Sequence, residues 1–369
     1  MQNSSVSPCR VRTIAVSSLA LALGFATCIG APTAHAQQYT LQVIPTLGGK
    51  SSRGQAINAS GEISGVSCLT GATCPPAYNG STTKNLHAFL YENGSLQDLG
   101  TLGGKANYSA ASGINAAGEV TGSSASTDNS EHAFLYSNGV MQDLGTLGGT
   151  ISSGAGINDS GAVTGGANLP GDAVEHAFLY SNGSMQDLGT LGGSNSFGSA
   201  VNASGQVTGQ SDIEGSPSHR AFLYGNGAML DLGWLGGAVD DSFGIAINAS
   251  AQVTGDSFNA AIDEDAFLYS NGAMRDLGRL GGSQSSGLGI NDNGQIVGWY
   301  ATPAGAGHAF LYTNGRSFDL NKLISAREAK LYTLTDATGI NDGGQIVANG
   351  YLNGVANIPR AFLLTPRAP

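Results

Sequence analysis

A seven-bladed β-propeller of four-stranded antiparallel blades is the fold the sequence predicts, and three observations predict it. The string "AFLY" begins at Ala88, Ala133, Ala177, Ala221, Ala266 and Ala309 and returns as "AFLL" at Ala361, seven copies spaced 43 to 52 residues apart. A period of roughly 44 residues is that of a propeller blade. Glycine fills 57 of 369 positions and charged residues only 11%, which suits many short strands and turns rather than helices. Finally, the last unit stops after its third strand at "AFLLTPRAP", while "YTLQVIPTLGG" near the start aligns with the fourth-strand segment "VMQDLGTLGG". A fourth strand supplied from the N-terminal side completes the last blade and closes the ring, leaving no end blade with an open edge.

Residues 1–36 read as a signal peptide. Arg10 and Arg12 are followed by the apolar run Thr13 to Ala26 and by "AHA", Ala34 to Ala36, so the mature domain is expected to span 37–369. The apolar run is short for a membrane span. Two of the four cysteines leave with this segment. Cys68 and Cys74 remain in "VSCLTGATCPPAYNG" and, in an exported chain, read as a local disulfide. Their spacing is not C-x-x-C, and two thiols with no nearby His make a poor metal site.

Each unit reads as four strands. In the third copy "GAGIN", Gly154 to Asn158, is small and suits the crowded axis of a propeller; "DSG" turns the chain into "AVTGG"; after a variable loop come "HAFLY", the turn "SNG", and "SMQDL". Asn and Gly accept positive φ in such turns. "AFLY" is apolar on consecutive residues, so both of its faces are expected to be buried, which requires a blade above and a blade below. A β-solenoid favours shorter coils, and the Gly-rich composition excludes a helical repeat.

The motif "HAFLY…NG…M.DLGTLGG…IN..G.V.G" resembles the HAF repeat family of exported bacterial proteins, and the resemblance covers nearly all of 37–369. It implies export and repetition, and no established activity, cofactor or catalytic residue. The motif His stands at His87, His132, His176 and His308, but Arg220, Asp265 and Arg360 replace it elsewhere.

That replacement, and the spread of the histidines at one per blade, argues against a metal centre, whose ligands must converge. The recurring Asp98, Asp143, Asp187, Asp231, Asp276 and Asp319 precede Gly-rich turns and are expected to accept turn N–H groups. "LGTLGG" lacks the Lys and the following helix of a phosphate loop. The acidic stretches around Asp240 and Asp263 lack calcium-loop spacing. With 15 Lys+Arg against 26 Asp+Glu, the chain has no electrostatic footprint for nucleic acid.

Variation among the copies is confined to the second-to-third and blade-to-blade loops, which emerge on one face; the "NASG", "NDSG" and "SNG" turns of the other face barely change. Function concentrates in loops over a rigid scaffold. Trp299, Tyr300, Tyr108, Phe197 and Phe243 lie in or beside the variable segments and are the candidate ligand-binding residues; no catalytic residue or metal ligand is assigned. The expectation is an exported, monomeric binding or surface-interaction module for an extracellular glycan or protein, without cofactor and without membrane insertion. The alternative is a glycan-directed hydrolase or lyase on the same scaffold.

Overall fold

The computed structural model describes residues 38–71, 85–103, 105, 107–128, 130–354 and 358–367. The expected signal peptide and Cys74 lie outside these residues. Seven four-stranded antiparallel sheets form the blades of a propeller. Blade 1 runs outward through Gly48–Ile57, Ile63–Leu69, Leu86–Glu92 and Ser95–Asp98. Five more blades repeat that order. In blade 7 the strands Tyr332–Ile340, Ile346–Leu352 and Pro359–Pro366 are completed by Tyr39–Val43 as the outermost strand. Tyr39 lies opposite Pro366 and Val43 opposite Phe362, the closure expected from the sequence.

The repeated apolar residues build the core between blades. Phe89, Phe134, Phe178, Phe222, Phe267, Phe310 and Phe362 are all essentially inaccessible. Phe89 packs on Val347 and Ala361 of blade 7, while its neighbours Ala88 and Leu90 pack on Phe134 of blade 2. Consecutive residues thus serve opposite interfaces. Burial of each Phe is worth roughly 1.5–3 kcal/mol. A glycine faces six of the seven Phe, with Ala348 opposite Phe362, and it is there for space: a Cβ on Gly65 would lie 2.2 Å from the Arg53 carbonyl and 2.7 Å from the Phe89 ring.

Polar residues tie the same interfaces. In blades 2 to 6 a serine of the innermost strand reaches back to the blade before it. Ser152 Oγ accepts the Ala133 N–H and donates to the Gly145 carbonyl; Ser109, Ser196, Ser242 and Ser285 do the same. At the rim, Gln97, Gln142 and Gln186 donate to the tyrosine hydroxyls of the following blade, Tyr136, Tyr180 and Tyr224.

One segment departs from expectation. The insertion after Asp319, read as a variable loop, contains a 3-10 turn at Leu320–Lys322 and a helix at Ala326–Leu331. Ser325 and Glu328 form a reciprocal capping box that satisfies the first turn. Glu328 also accepts the N–H of Leu41 on the closing strand, and the Tyr39 N–H bonds the Leu323 carbonyl. The insertion therefore covers the strand that closes the ring.

Candidate functional site

The seven Asn of the I/V-N turns, Asn58, Asn115, Asn158, Asn202, Asn248, Asn291 and Asn341, surround the axis at one end of the propeller, and all are buried. Each Nδ2 donates to the main-chain carbonyl of the Asn in the next blade, at 3.0–3.2 Å, and Asn341 donates to Asn58. The result is a closed circle of seven hydrogen bonds. The Oδ1 of each residue accepts from its own turn; Asn158, for example, takes the N–H groups of Ser160 and Ala162. These amides are fully engaged in holding the ring.

The motif His and Asp are likewise engaged with each other. His87 Nδ1 lies 2.8 Å from Asp98, His132 2.7 Å from Asp143, His176 2.9 Å from Asp187 and His308 3.2 Å from Asp319. The Asp also accepts the turn N–H two residues on, as Asp187 does from Gly189 at 2.8 Å. Partial burial pushes the Asp98 carboxyl up, but the His87 and Gly100 hydrogen bonds outweigh it and hold it below its ordinary value.

Three blades lack the His, and in blades 4 and 5 a replacement pair stands in its place. In blade 4, Arg220 takes its place, pairs with Asp240 at 2.8 Å and lies 4.3 Å from the ring of Trp234, which stands where other copies have Thr in "GTLGG". In blade 5, Asp265 takes its place and Arg279 replaces the same Thr, lying 3.1 Å from Asp265 and pairing with Asp263.

The opposite face is different in kind. Every innermost strand carries a bulge. The extra residue is Gln55, Ser112, Ala155, Ser199, Ile245, Leu288 or Thr338, and all seven line an axial channel of about 430 Å³. Two positions before the bulge residue, toward the variable face, stand Arg53, Ala110, Ser153, Phe197, Phe243, Ser286 and Asp336, each separated from it by a glycine or alanine. Arg53 and Asp336 close the seam between blades 1 and 7, with two N–O contacts at 2.7 and 3.2 Å. Arg53 and Phe197 both line the channel.

The sequence candidates divide on this face. Phe197, Phe243 and Trp299 are half-buried. They belong to blades 4, 5 and 6: Phe243 lies against His219 with ring centres 5.7 Å apart, and Trp299 pairs across the sheet with Ser286. Tyr108 and Tyr300 are buried, which places them behind the surface rather than on it. The Tyr108 hydroxyl donates to Glu131; burial and that carboxylate push its pKa up. Tyr300 packs edge-on against His308, and burial, reinforced by Asp319, pushes its hydroxyl up to about 12. Cys68 is buried on the second strand of blade 1.

A group the sequence reading missed lies between blades 5 and 6. Asp256, opposite Phe243 in the sheet, is buried and accepts the Ser286 hydroxyl at 2.6 Å. Burial, with Glu264 bonded beside it, drives its carboxyl well above the usual carboxylate range despite the Ser286 bond. Asp256 stands in the "VTG-x" position occupied by Ser123, Gly166, Gln210 and Trp299 in other blades, a position that differs in every blade. Among the described residues no set of three or more His, Cys, Asp or Glu could hold a metal ion, and no helix is long and apolar enough to cross a membrane.

No protein-family model and no curated sequence matches the chain. Solved structures to which it is similar include TolB from Acinetobacter baumannii, at TM-score 0.45 and 11% identity, covering 82% of this chain and 63% of that one. A gluconolactonase from Xanthomonas campestris is similar at TM-score 0.38 and 11% identity, over 70% of this chain and 86% of that one. A sialidase from Trypanosoma rangeli is similar at 0.42 and 9% identity, over 86% and 54%. The chain spans less than two thirds of the TolB structure, and likeness at this level transfers neither activity nor ligand.

Proposed function

We propose that this chain is an exported propeller of the HAF repeat type that binds an extracellular ligand through its variable-loop face, at the mouth of the axial channel. One observation carries the reading. Of the two rings of residues that surround the axis, the Asn ring repeats one residue seven times and spends its hydrogen bonds within the protein. The other presents Arg53, Ala110, Ser153, Phe197, Phe243, Ser286 and Asp336. Identical residues at matched positions suit a scaffold; different ones suit a particular ligand. Phe197, Phe243 and Trp299 supply half-exposed rings of the kind that anchor interfaces. Export would remove residues 1–36, and Cys68 and Cys74 would be joined in the oxidising compartment. The direct test is a glycan and peptide array screened with the 37–369 protein. Phe197→Ala and Trp299→Ala should weaken any hit at least about tenfold, the loss of more than 1 kcal/mol typical of an interface anchor; His176→Ala should leave it intact.

A second reading, a glycan-directed hydrolase or lyase, is favoured by Asp256, a buried carboxyl beside Glu264 that retains its proton toward neutral pH. A proton donor of that kind is what leaving-group protonation requires. Turnover of an array hit by the native protein and its loss in Asp256→Asn would establish that reading; binding without turnover would reject it.

A further inference from the structure

The channel wall is unlike on its two sides. Going round the ring, Thr338, Gln55 and Ser112 from blades 7, 1 and 2 make a polar arc, Ala155 and Ser199 are small, and Ile245 and Leu288 from blades 5 and 6 make an apolar arc facing it. The side chains of Gln55, Ser112 and Ser199 make no hydrogen bond among the described residues, although they are only partly exposed. Polar groups at a half-enclosed site without protein partners are available to a ligand, and it is costly to cover them with something that cannot bond them.

Charge narrows the choice. Arg53 is the cation lining the channel, and its guanidinium is matched by the Asp336 carboxylate, which also accepts Asn349 Nδ2 at 3.0 Å. A charged ligand group would have to break this arrangement. Size narrows it further. About 430 Å³ is at the small end of ligand cavities, which run from ~300 to ~1,000 Å³. Ile57, Ile114, Ile157, Val201, Ile290 and Ile340 form an apolar collar at the inner end, with the Asn circle beyond. What enters from the variable face is therefore short, uncharged, apolar on one side and hydroxyl-rich on the other.

We infer that the channel receives a single uncharged terminal sugar residue of a glycan, its C–H face on Ile245, Leu288 and Phe197 and its hydroxyls toward Gln55, Ser112 and Ser199. This rests on the binding reading above and specifies its ligand. An apolar peptide side chain would satisfy the Ile245–Leu288 arc but leave the polar arc unpaired, so a peptide ligand is the disfavoured outcome.

The test uses the 37–369 protein on an array of oligosaccharides ending in uncharged hexoses, oligosaccharides ending in uronic or sialic acids, and unglycosylated peptides, with affinities measured for the hits. Binding to the uncharged set is expected. Ala155→Phe, which fills the channel from a residue facing it, should reduce that affinity at least tenfold with the melting temperature unchanged. Gln55→Leu, nearly equal in size, should do so too and serves if Ala155→Phe does not fold. Preference for acid-terminated glycans or for peptides overturns the inference. So does full affinity in the channel-filled or Gln55→Leu protein for a ligand whose binding a separate Phe243→Ala variant abolishes; the face would then still be the site and only the channel would be excluded. Absence of binding to every probe removes the binding reading itself.

Discussion

The two ends of the axis are made from the same seven strands, yet they obey opposite rules. At one end each innermost strand finishes in an Asn whose amide bonds the next blade, and the circle closes from Asn341 to Asn58. A residue in a closed circle must be the same everywhere, because each is donor to one neighbour and acceptor from the other. A few residues away along the same strands the bulge delivers Gln55, Ser112, Ala155, Ser199, Ile245, Leu288 and Thr338 into the channel. These side chains are tied into no such circle, and six residue types share the seven positions. Repetition here measures how much of a residue's bonding is used inside the ring.

Breaking the circle at its weakest covalent point should have the largest effect. Deleting Tyr39 to Ile44 removes the outer strand of blade 7 and the buried Tyr39 and Ile44 side chains, exposing an open edge. A large fall in melting temperature, or aggregation, is expected by calorimetry and light scattering; unchanged unfolding would mean that the ring does not depend on closure.

A smaller effect sharpens the contrast on the variable face, where a single unrepeated carboxyl carries a cost of its own. The Asp256 carboxyl, ordinarily near 3.8, is raised to about 7 in the folded protein. The groups bonded to it are Glu264 on its own blade and Ser286 from blade 6. The folded state then holds a proton that the unfolded chain has released. Stability from this site is fully present below about 4 and is lost as the pH rises to about 7, at a slope of no more than ~1.4 kcal/mol per pH unit. Denaturant titrations across that range should show the decline, and Asp256→Asn should flatten it. A rise in stability over the same window would contradict the burial that raises the carboxyl.

The smallest effect concerns a flaw in the repetitive face. Blade 5 reads "NASAQ" where six others place Gly, and Ala251 adopts φ +57°. Ala251→Gly should stabilise the protein by about 1 kcal/mol, the cost of a left-handed non-glycine residue. Destabilisation would mean the Ala251 methyl packs more usefully than its backbone is strained.

The architecture was legible because its signals are periodic. "AFLY" announces two buried faces, the Asn-Gly turns announce positive φ, observed for example at Asn182 and Gly183, and the spare N-terminal strand announces closure. The insertion helix was missed although S-x-x-E at Ser325–Glu328 is a capping signature; six residues are too few for a visible apolar periodicity. The site was half legible. Loop variation pointed to the variable face as the candidate, but aromaticity alone could not separate Phe197, which lines the channel, from Tyr300, which is buried against His308. A better signal stood in the repeat: within "G-x-small-I-N" only x varies freely, and x is the bulge residue. Paired exceptions were readable too, since "LGWLGG" occurs with Arg220 and "LGRLGG" with Asp265. The raised carboxyl of Asp256 was not readable, because burial and a partner from the next blade create it.

The central claim is that the repeated ring holds and the unrepeated ring binds. It is tested most directly by comparing Asn158→Ala with Phe197→Ala in one pair of measurements, unfolding free energy and affinity for the strongest array hit. Asn158→Ala strips partners from the Ser160 and Ala162 N–H groups and the Asn202 carbonyl. It should cost about 2 to 3 kcal/mol of stability and leave the affinity of the folded protein unchanged. Phe197→Ala should lower affinity at least tenfold with stability nearly intact. The reverse pattern, with Asn158→Ala abolishing binding in a folded ring or Phe197→Ala binding as well as the native protein, would contradict the account.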